Sequence, residues 1–260
     1  MAAKRSLPGP LKILLPVVFW LAVWHGAAWL LELRLESRGN ELLLPYPTTV
    51  FRSLMALWAT KAFWLAVFRS LLRILAGLAG GSLAGAVLAV LTGASAWLES
   101  LLAPAIRVIR ATPVTSFILL ILLWTGRDHV PAIIAGLMVL PVVWENLSQG
   151  IRSTDPKLLE MAHAYGFSPT KRLFLIYFPS LRPYFAAAVT TAMGLAWKSG
   201  VAAEVLCLPR QAIGTQIYNS KLYLEVPDLF AWTLTVVLMS ILLEKLLSLA
   251  VNRKRGGAVK

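Results

Sequence analysis

Cysteine, histidine and acidic residues are scarce in this sequence. Cys207 is the only cysteine, which excludes an internal disulfide and a thiolate metal cluster, and the three histidines have no companions at metal-ligand spacing. We therefore expect no metal site. Charged residues make up 14% of the chain and hydrophobic residues 58%, and the mean hydropathy is strongly positive. Soluble domains have a smaller apolar share, so the chain is predicted to lie in a lipid bilayer.

The sequence also lacks the motifs of common catalytic and nucleotide-binding sites. It has no Gly-x-x-x-x-Gly-Lys-[Ser/Thr] phosphate loop, since Lys198-Ser199 follows Trp197, and no Ser-His-Asp or paired-carboxylate arrangement. We expect neither bound nucleotide nor catalysis on this chain. The net charge of +13 does not indicate nucleic acid, because the Lys and Arg residues separate apolar runs instead of forming one basic face. Basic residues in such places favour contact with anionic lipid headgroups.

Long apolar runs recur along the chain and predict an all-α integral membrane fold with six transmembrane helices. The third and fourth runs are short, so we expect them to be buried among other helices, with a tight turn at residues 126–128 between them. One transmembrane domain is predicted over residues 12–252, between an N-terminal tail (1–11) and a basic C-terminal tail (253–260). The predicted spans are 12–31, 70–93, 112–126, 130–149, 181–206 and 229–250.

The basic residues predict the orientation of these spans. If both termini are cytoplasmic, most of the 25 Lys and Arg residues fall in cytoplasmic segments, as the positive-inside rule requires. The apolar run from Ile13 to Leu31 is too long for a signal peptide and is not followed by an A-x-A cleavage site. We therefore interpret it as an uncleaved first span.

The second predicted span carries small residues at intervals of four, which places them on one face of a helix. Small side chains allow two helix backbones to approach closely in a membrane. We expect another helix to pack against this face, and lining of a substrate path is the alternative. The small residues are Gly77, Gly81, Gly85, Ala89 and Gly93.

The segment from residue 152 to 180 predicts a cytoplasmic helix-turn-helix between the fourth and fifth spans. Thr154 or Asp155 can cap the first helix, and a glycine at position 166 is the expected left-handed stop. Ser168 can cap a second helix. Pro179 is expected to end or kink that second helix before the fifth span.

The spacing Glu160-Met-Ala162, then Gly166, then Ile176-Tyr-Phe178-Pro179 resembles the EAA loop of bacterial ABC importer permeases. The pattern of that loop is E-A-A, three residues, G, nine residues, I-x-L-P; Met161 and Phe178 depart from it but remain apolar. The resemblance implies a type I ABC importer permease-like fold whose loop is the coupling helix that inserts into a groove on an ATPase subunit. The coupling residues that it implies are Glu160, Met161, Ala162, Tyr165, Gly166, Ile176 and Pro179.

Further segments look like the nitrate, sulfonate and taurine branch of these permeases. The resemblance implies a multi-pass protein of the bacterial inner membrane, a second permease copy in a homodimer, and a periplasmic or lipid-anchored substrate-binding protein. It also implies that ATP and Mg are bound by the partner ATPase and not by this chain, and that the cargo is a small anion or organic acid. The segments are Leu44–Val50, Ser70–Arg73, Arg110–Pro113, Gly194–Trp197, Ala202–Glu204, Ile213–Gly214 and Pro227–Ala231.

Four charged residues are candidates for the substrate path. Lys198 lies inside the fifth predicted span, where a lysine costs about 2.5–3.5 kcal/mol, so it should face a cavity or a partner. It could meet an anionic substrate, snorkel to the interface or form an interhelical pair. Arg69 and Arg73 lie one turn apart and could gather anions or contact lipid headgroups. Glu204 is six positions from Lys198 and therefore off its helix face; it could be a structural hydrogen-bonding group.

Two other function classes compete with the permease. A secondary transporter or channel would explain the spans but not the spacing in the loop, and it usually shows inverted repeats or carboxylate relays. An integral membrane enzyme would need polar catalytic residues clustered at one depth. Neither pattern is visible in the sequence.

Overall fold

The computed structural model describes residues 9–34 and 40–256. Every regular element in those two ranges is a helix, which confirms the all-α prediction. The predicted tails fall largely on residues 1–8 and 257–260, which lie outside the described residues. The elements are α1 (Gly9–Arg34), α2 (Asn40–Leu43), α3 (Pro47–Trp58), α4 (Lys61–Ala94), α5 (Ala96–Ala111), α6 (Val114–Trp124), α7 (Val130–Arg152), α8 (Pro156–Ala164), α9 (Pro169–Arg172), a π-helical turn (Leu173–Tyr177), α10 (Phe178–Cys207), α11 (Ile213–Leu222) and α12 (Val226–Gly256).

Within the described residues, five helices are long and apolar enough to cross a membrane, and a bent helix pair can provide a sixth span. The five helical segments are Leu14–Arg34, Lys61–Ala94, Val130–Arg152, Pro169–Cys207 and Val226–Ala250.

The third predicted span (112–126) is wrong as a single crossing. The helix there, α6, has 11 residues and is about 16 Å long, which is half of the roughly 30 Å hydrocarbon core. It follows α5 at an angle of 106°, so only the two helices together can form a span. Pro113 separates them, and a proline disfavours helical backbone in the residue before it.

The fourth predicted span is longer than the sequence suggested. Helix α7 has 23 residues, or about 34 Å, and can cross the bilayer alone. The expected tight turn is present, since the amide of His129 donates to the carbonyl of Gly126 at 2.9 Å. The second span is also longer than predicted, because α4 begins at Lys61.

The described residues divide into two compact units. The first is formed by residues 1–64 and 216–235. In it, α3 buries Val50 and Leu54 beside Ala231 of α12. Aromatic rings stack around this cluster, with centroids 5.7 Å apart for Trp24–Phe230. The indole of Trp24 also donates to the carbonyl of Pro45 at 3.1 Å, so α1 is tied to the chain entering α3.

In the first unit, the pKa of Tyr46 differs from its ordinary value. The hydroxyl of Tyr46 donates to the carboxylate of Glu32. This hydrogen bond, with a smaller contribution from desolvation, raises the pKa of Tyr46.

The second unit consists of residues 65–215 and 236–260, and its centre is the packing of α7 against α10. Helix α4 packs against α7 through the predicted stripe of small residues. A Cβ atom at Gly77 would lie 2.2 Å from the carbonyl oxygen of Ala132, and one at Gly81 would lie 2.3 Å from that of Gly136. Real Cβ atoms do not approach other atoms so closely. The expected close helix packing is therefore confirmed.

Candidate functional site

The first helix of the loop over residues 152–180, α8, is capped at its start by Asp155. The carboxylate of Asp155 accepts a hydrogen bond from the amide of Lys157 at 2.9 Å, and Pro156 takes the first helical position. Thr154 is instead buried and its hydroxyl donates to the carbonyl of Gly150 at 3.2 Å. Of the two predicted caps, Asp155 is the one used.

Helix α8 ends at the predicted glycine. Gly166 has φ +62°, in the left-handed region that favours glycine. Its amide donates to the carbonyl of His163 at 3.0 Å, and the amide of Phe167 donates to that of Ala162 at 2.8 Å. These bonds satisfy carbonyl groups that the end of a helix leaves free.

One face of α8 is apolar and exposed. Leu158, Met161 and Tyr165 follow one another at intervals of three and four residues, and they therefore share a helix face. They are 40%, 44% and 76% exposed, whereas Ala162 is fully buried. Glu160 is also exposed. An exposed apolar face on a short, firmly capped helix is suited to contact with another protein.

The second helix of the loop begins as predicted but does not end at Pro179. Ser168 caps α9, with its hydroxyl accepting from the amide of Lys171 at 3.3 Å. The chain then widens into one π-helical turn, in which the amide of Phe178 donates to the carbonyl of Leu173, and it continues directly into α10.

Of the two expected outcomes at Pro179, an end or a kink of the helix, the end is therefore wrong. A proline has no amide hydrogen and its ring crowds the carbonyl four residues earlier, here that of Leu175. A π turn at this position widens the helix just before the proline, and the helix can continue. Ile176, one of the predicted coupling residues, lies in this turn and is 5% exposed.

The loop joins the two helices that form the centre of the second unit. The end of α7 is in close contact with the start of α10, because a Cβ at Gly150 would lie 2.8 Å from side-chain atoms of Leu181 and Tyr184. The loop is thus connected at both ends to closely packed helices.

A second feature of this unit is a buried polar cluster around Glu204. The carboxylate of Glu204 is fully buried in α10. It accepts hydrogen bonds from the hydroxyl of Ser70 at 2.7 Å and from the amide of Gly214 at 3.2 Å. The Ser70 hydroxyl in turn accepts from the amide of Ile213 at 2.9 Å. One carboxylate therefore holds α4, α10 and the start of α11 together.

Arg73 extends this cluster to the α6–α7 turn. Its guanidinium lies 3.7 Å from the Glu204 carboxylate and 3.4 Å from that of Asp128, and it donates to the carbonyl of Arg210 at 2.8 Å. The amide of Arg210 also donates to Asp128 at 2.9 Å. Ser70 and Asp128 were not predicted as site residues from the sequence. One signal in the sequence could have indicated Ser70. It lies one helical turn before Arg73, and Glu204, an acid inside a predicted span, needs buried polar partners.

The four candidate path residues thus separate into two sets. Arg73 and Glu204 are brought together in the buried cluster. Arg69 is exposed on α4, and Lys198 is exposed on α10; neither has an ion-pair partner among the described residues. Lys198 shares one exposed face of α10 with three residues that precede it in steps of three and four and with one that follows it by eight positions. They are Ala187, Thr191, Leu195 and Leu206.

Comparison with known proteins agrees with these features. The sequence model of the family described as "Binding-protein-dependent transport system inner membrane component" matches residues 81–253. A protein of Escherichia coli K12 named as an aliphatic sulfonates transport permease, SsuC, is 30% identical over 82% of this chain and 81% of its own length. The E. coli taurine transport system permease protein TauC is 25% identical over 86% and 81%.

A more distant relative and a solved structure extend the comparison. The bicarbonate transport system permease protein CmpB of Synechococcus elongatus is 24% identical over 93% of this chain and 88% of its own. The crystal structure of an amino acid ABC transporter with histidines is similar in fold, with a TM-score of 0.62, 20% identity, and coverage of 77% of this chain and 97% of that chain. With its helical membrane fold and its capped helix-turn-helix loop, the chain belongs to the family of binding-protein-dependent transport system inner membrane components and is the permease subunit of an ABC importer.

Proposed function

We propose that this permease carries a small anionic solute, such as a sulfonate or an organic acid, across the inner membrane of a bacterium. It works as a homodimer with both termini in the cytoplasm. Each copy docks one ATPase on α8, and a periplasmic or lipid-anchored binding protein delivers the cargo. ATP and Mg are bound by the ATPase, and this chain contributes no cofactor and no catalytic group.

The observation that carries the docking proposal is the exposed apolar face of α8. Leu158, Met161 and Tyr165 offer it to a partner, while Asp155 and Gly166 fix the two ends of the helix. A rigid helix transmits a displacement caused by a partner protein better than a flexible loop does. The ATPase can drive transport only if its two states contact α8 differently. Because α9, the π turn and α10 are continuous, such a movement passes directly into a membrane-spanning helix.

The exposed face of α10 supports the pairing of two permease copies. A lysine on a spanning helix is costly in contact with hydrocarbon. Lys198 lies on a face that also carries the small side chains of Ala187 and Thr191. A second copy facing it would place Lys198 and Thr191 of both copies along a passage between the two α10 helices.

The cargo proposal rests on Lys198 and on the relatives. Two of them are named for the transport of sulfonates and of taurine, and a third for bicarbonate. A lysine in the passage would select anions by charge, and Arg69 would gather them at the outer end of α4. Arg73 and Glu204 would position that end of the path through their buried cluster. Snorkelling of Lys198 to the membrane surface is the alternative for this residue.

The docking proposal is tested by co-purification of the permease with its ATPase. Gly166→Val should weaken capture, because a β-branched residue is strained at φ +62° and the end of α8 must shift. Glu160→Lys should weaken it through the reversed charge at the docking face. The control is Gly126→Ala, which has φ outside the left-handed region and open space around it. Transport by this chain without any ATPase would refute the proposal in favour of a secondary transporter.

The cargo proposal is tested in liposomes that contain the permease, the ATPase and the binding protein. Lys198→Ala should raise the concentration of anionic cargo needed for half-maximal uptake by about tenfold, the loss of one charge-assisted contact. Lys198→Arg should retain most of the affinity. Lys245→Ala, at another exposed lysine on a spanning helix, is the matched control. Unchanged uptake by Lys198→Ala would favour snorkelling.

A further inference from the structure

An apolar groove runs along the outside of α4, the π turn and the start of α10. Its volume is about 490 Å³. It is lined by Val87 and Leu91 of α4 and by Phe174, Phe178 and Phe185. Phe174 and Phe178 are 63% and 66% exposed. Aromatic rings exposed to this extent on a membrane protein require an apolar neighbour.

A second cavity, of about 580 Å³, adjoins this groove and has polar groups at its mouth. Thr170, Arg172 and Tyr177 line it. The two cavities share Val90, Leu173 and Leu181 as lining residues, so they lie side by side along the same helices.

Arg172 is the unexplained group in the second cavity. Its Nε atom is buried, and it has no hydrogen-bond partner among the described residues. A buried guanidinium nitrogen without a partner destabilises the protein, because it has lost its hydrogen bonds to water and forms none within the protein. The neighbouring Lys171 is exposed, and Arg182 lines the apolar groove. The charges at this site therefore favour an anion.

The dimensions match one class of ligand. Phe185 lies eleven positions after Phe174, which corresponds to about 16 Å along a helix. One leaflet of the hydrocarbon core is about 15 Å thick. An anionic phospholipid has such a form, with an anionic head that can lie at Arg172 and an apolar tail that can lie along the phenylalanines.

We propose that an anionic phospholipid of the leaflet bordering the coupling loop binds in this composite groove. Its phosphate lies at Arg172 and the polar mouth, and one acyl chain lies along Phe174, Phe178 and Phe185. A lipid at this position contacts the π turn, the segment that joins α9 to α10. The proposal depends on the membrane location of these helices and not on the identity of the cargo.

The test is native mass spectrometry of the full-length permease, purified in detergent and exposed to an equimolar mixture of dioleoyl-phosphatidylglycerol and dioleoyl-phosphatidylcholine. The wild-type chain should retain phosphatidylglycerol preferentially. Arg172→Gln should reduce that preference by about tenfold, since one charge-assisted hydrogen-bonding group is lost. Lys171→Gln is the matched control, because it removes the same charge one residue away at a side chain that does not line the groove.

A second variant tests the apolar half without changing the charge. Val87 is half exposed, so Val87→Trp should fill the groove without disturbing the core, and it should reduce retention of both lipids. Equal losses in Arg172→Gln and Lys171→Gln would overturn the proposal, because surface charge alone would then explain binding. Unchanged lipid retention in Val87→Trp together with lost ATPase capture would overturn it as well, since a protein partner would then cover the groove.

Discussion

Replacement of Gly81 by alanine should loosen the packing of α4 against α7. The new Cβ would lie 2.3 Å from the carbonyl oxygen of Gly136 and 2.7 Å from its Cα, whereas ordinary contacts begin at 3.4 Å. Both opposing atoms belong to the backbone and cannot rotate away. The helices must therefore separate by about 1 Å, a shift set by the van der Waals radii.

The size of the effect follows from two opposing contributions. Overpacking costs about 1–3 kcal/mol, and a rigid backbone neighbour places Gly81→Ala near the upper value. The better helix propensity of alanine offsets up to about 1 kcal/mol of this. The separation also weakens the hydrogen bond from the indole of Trp144 to the hydroxyl of Thr92, 3.0 Å long, which joins the same two helices. We expect a net loss of about 2 kcal/mol.

The neighbouring Gly80 provides a matched control. A Cβ at Gly80 meets nothing within 4 Å. Gly80→Ala makes the same chemical change in the same helix without a clash, and it should stabilise the protein by up to about 1 kcal/mol through propensity alone.

The assay uses the one cysteine of the chain. Cys207 is buried between α6, α7 and α10, so its reaction with a maleimide dye during heating reports unfolding. The midpoint for Gly81→Ala should fall by about 4–8 °C and that for Gly80→Ala should rise slightly. If the two variants shifted equally, or if Gly81→Ala unfolded like the wild type, the close α4–α7 contact would be refuted.

Two further predictions concern the coupling face and the buried cluster. Tyr165→Ala should reduce ATPase binding by at least about 2 kcal/mol, or thirtyfold, because an exposed tyrosine of a docking face buries about 150 Å² on binding. Tyr223→Ala, at a tyrosine of similar exposure outside the coupling loop, should leave binding measured by surface plasmon resonance unchanged; equal losses would show that α8 is not the docking site. Ser70→Ala should lower the Cys207 labelling midpoint by several degrees, since it leaves the Glu204 carboxylate and the Ile213 amide each short of a buried partner. A wild-type midpoint in this variant would show that water replaces the hydroxyl without cost.

Local chemistry in the sequence determined the helical membrane fold, the limits of α8 and the small-residue face of α4. Each of these depends on neighbouring residues alone. Apolar runs require helices in a bilayer, Asp155 and Gly166 cap and stop a helix wherever they occur, and small residues at intervals of four share a face in any helix. The resemblance of the coupling loop to a known family was readable for the same reason, since its residues are contiguous.

Only the tertiary structure decided which of the charged residues work together. Arg69 and Arg73 are equivalent in the sequence, one turn apart on α4. Yet Arg73 lies in the cluster with Glu204 and Asp128, two residues from distant segments of the chain. Arg69 is exposed. The 106° bend between α5 and α6 and the π turn before Pro179 were likewise not readable. At a proline, a helix either breaks or continues through a wide turn. The outcome depends on whether tertiary packing, here of α10 against α7, stabilises the continuous helix.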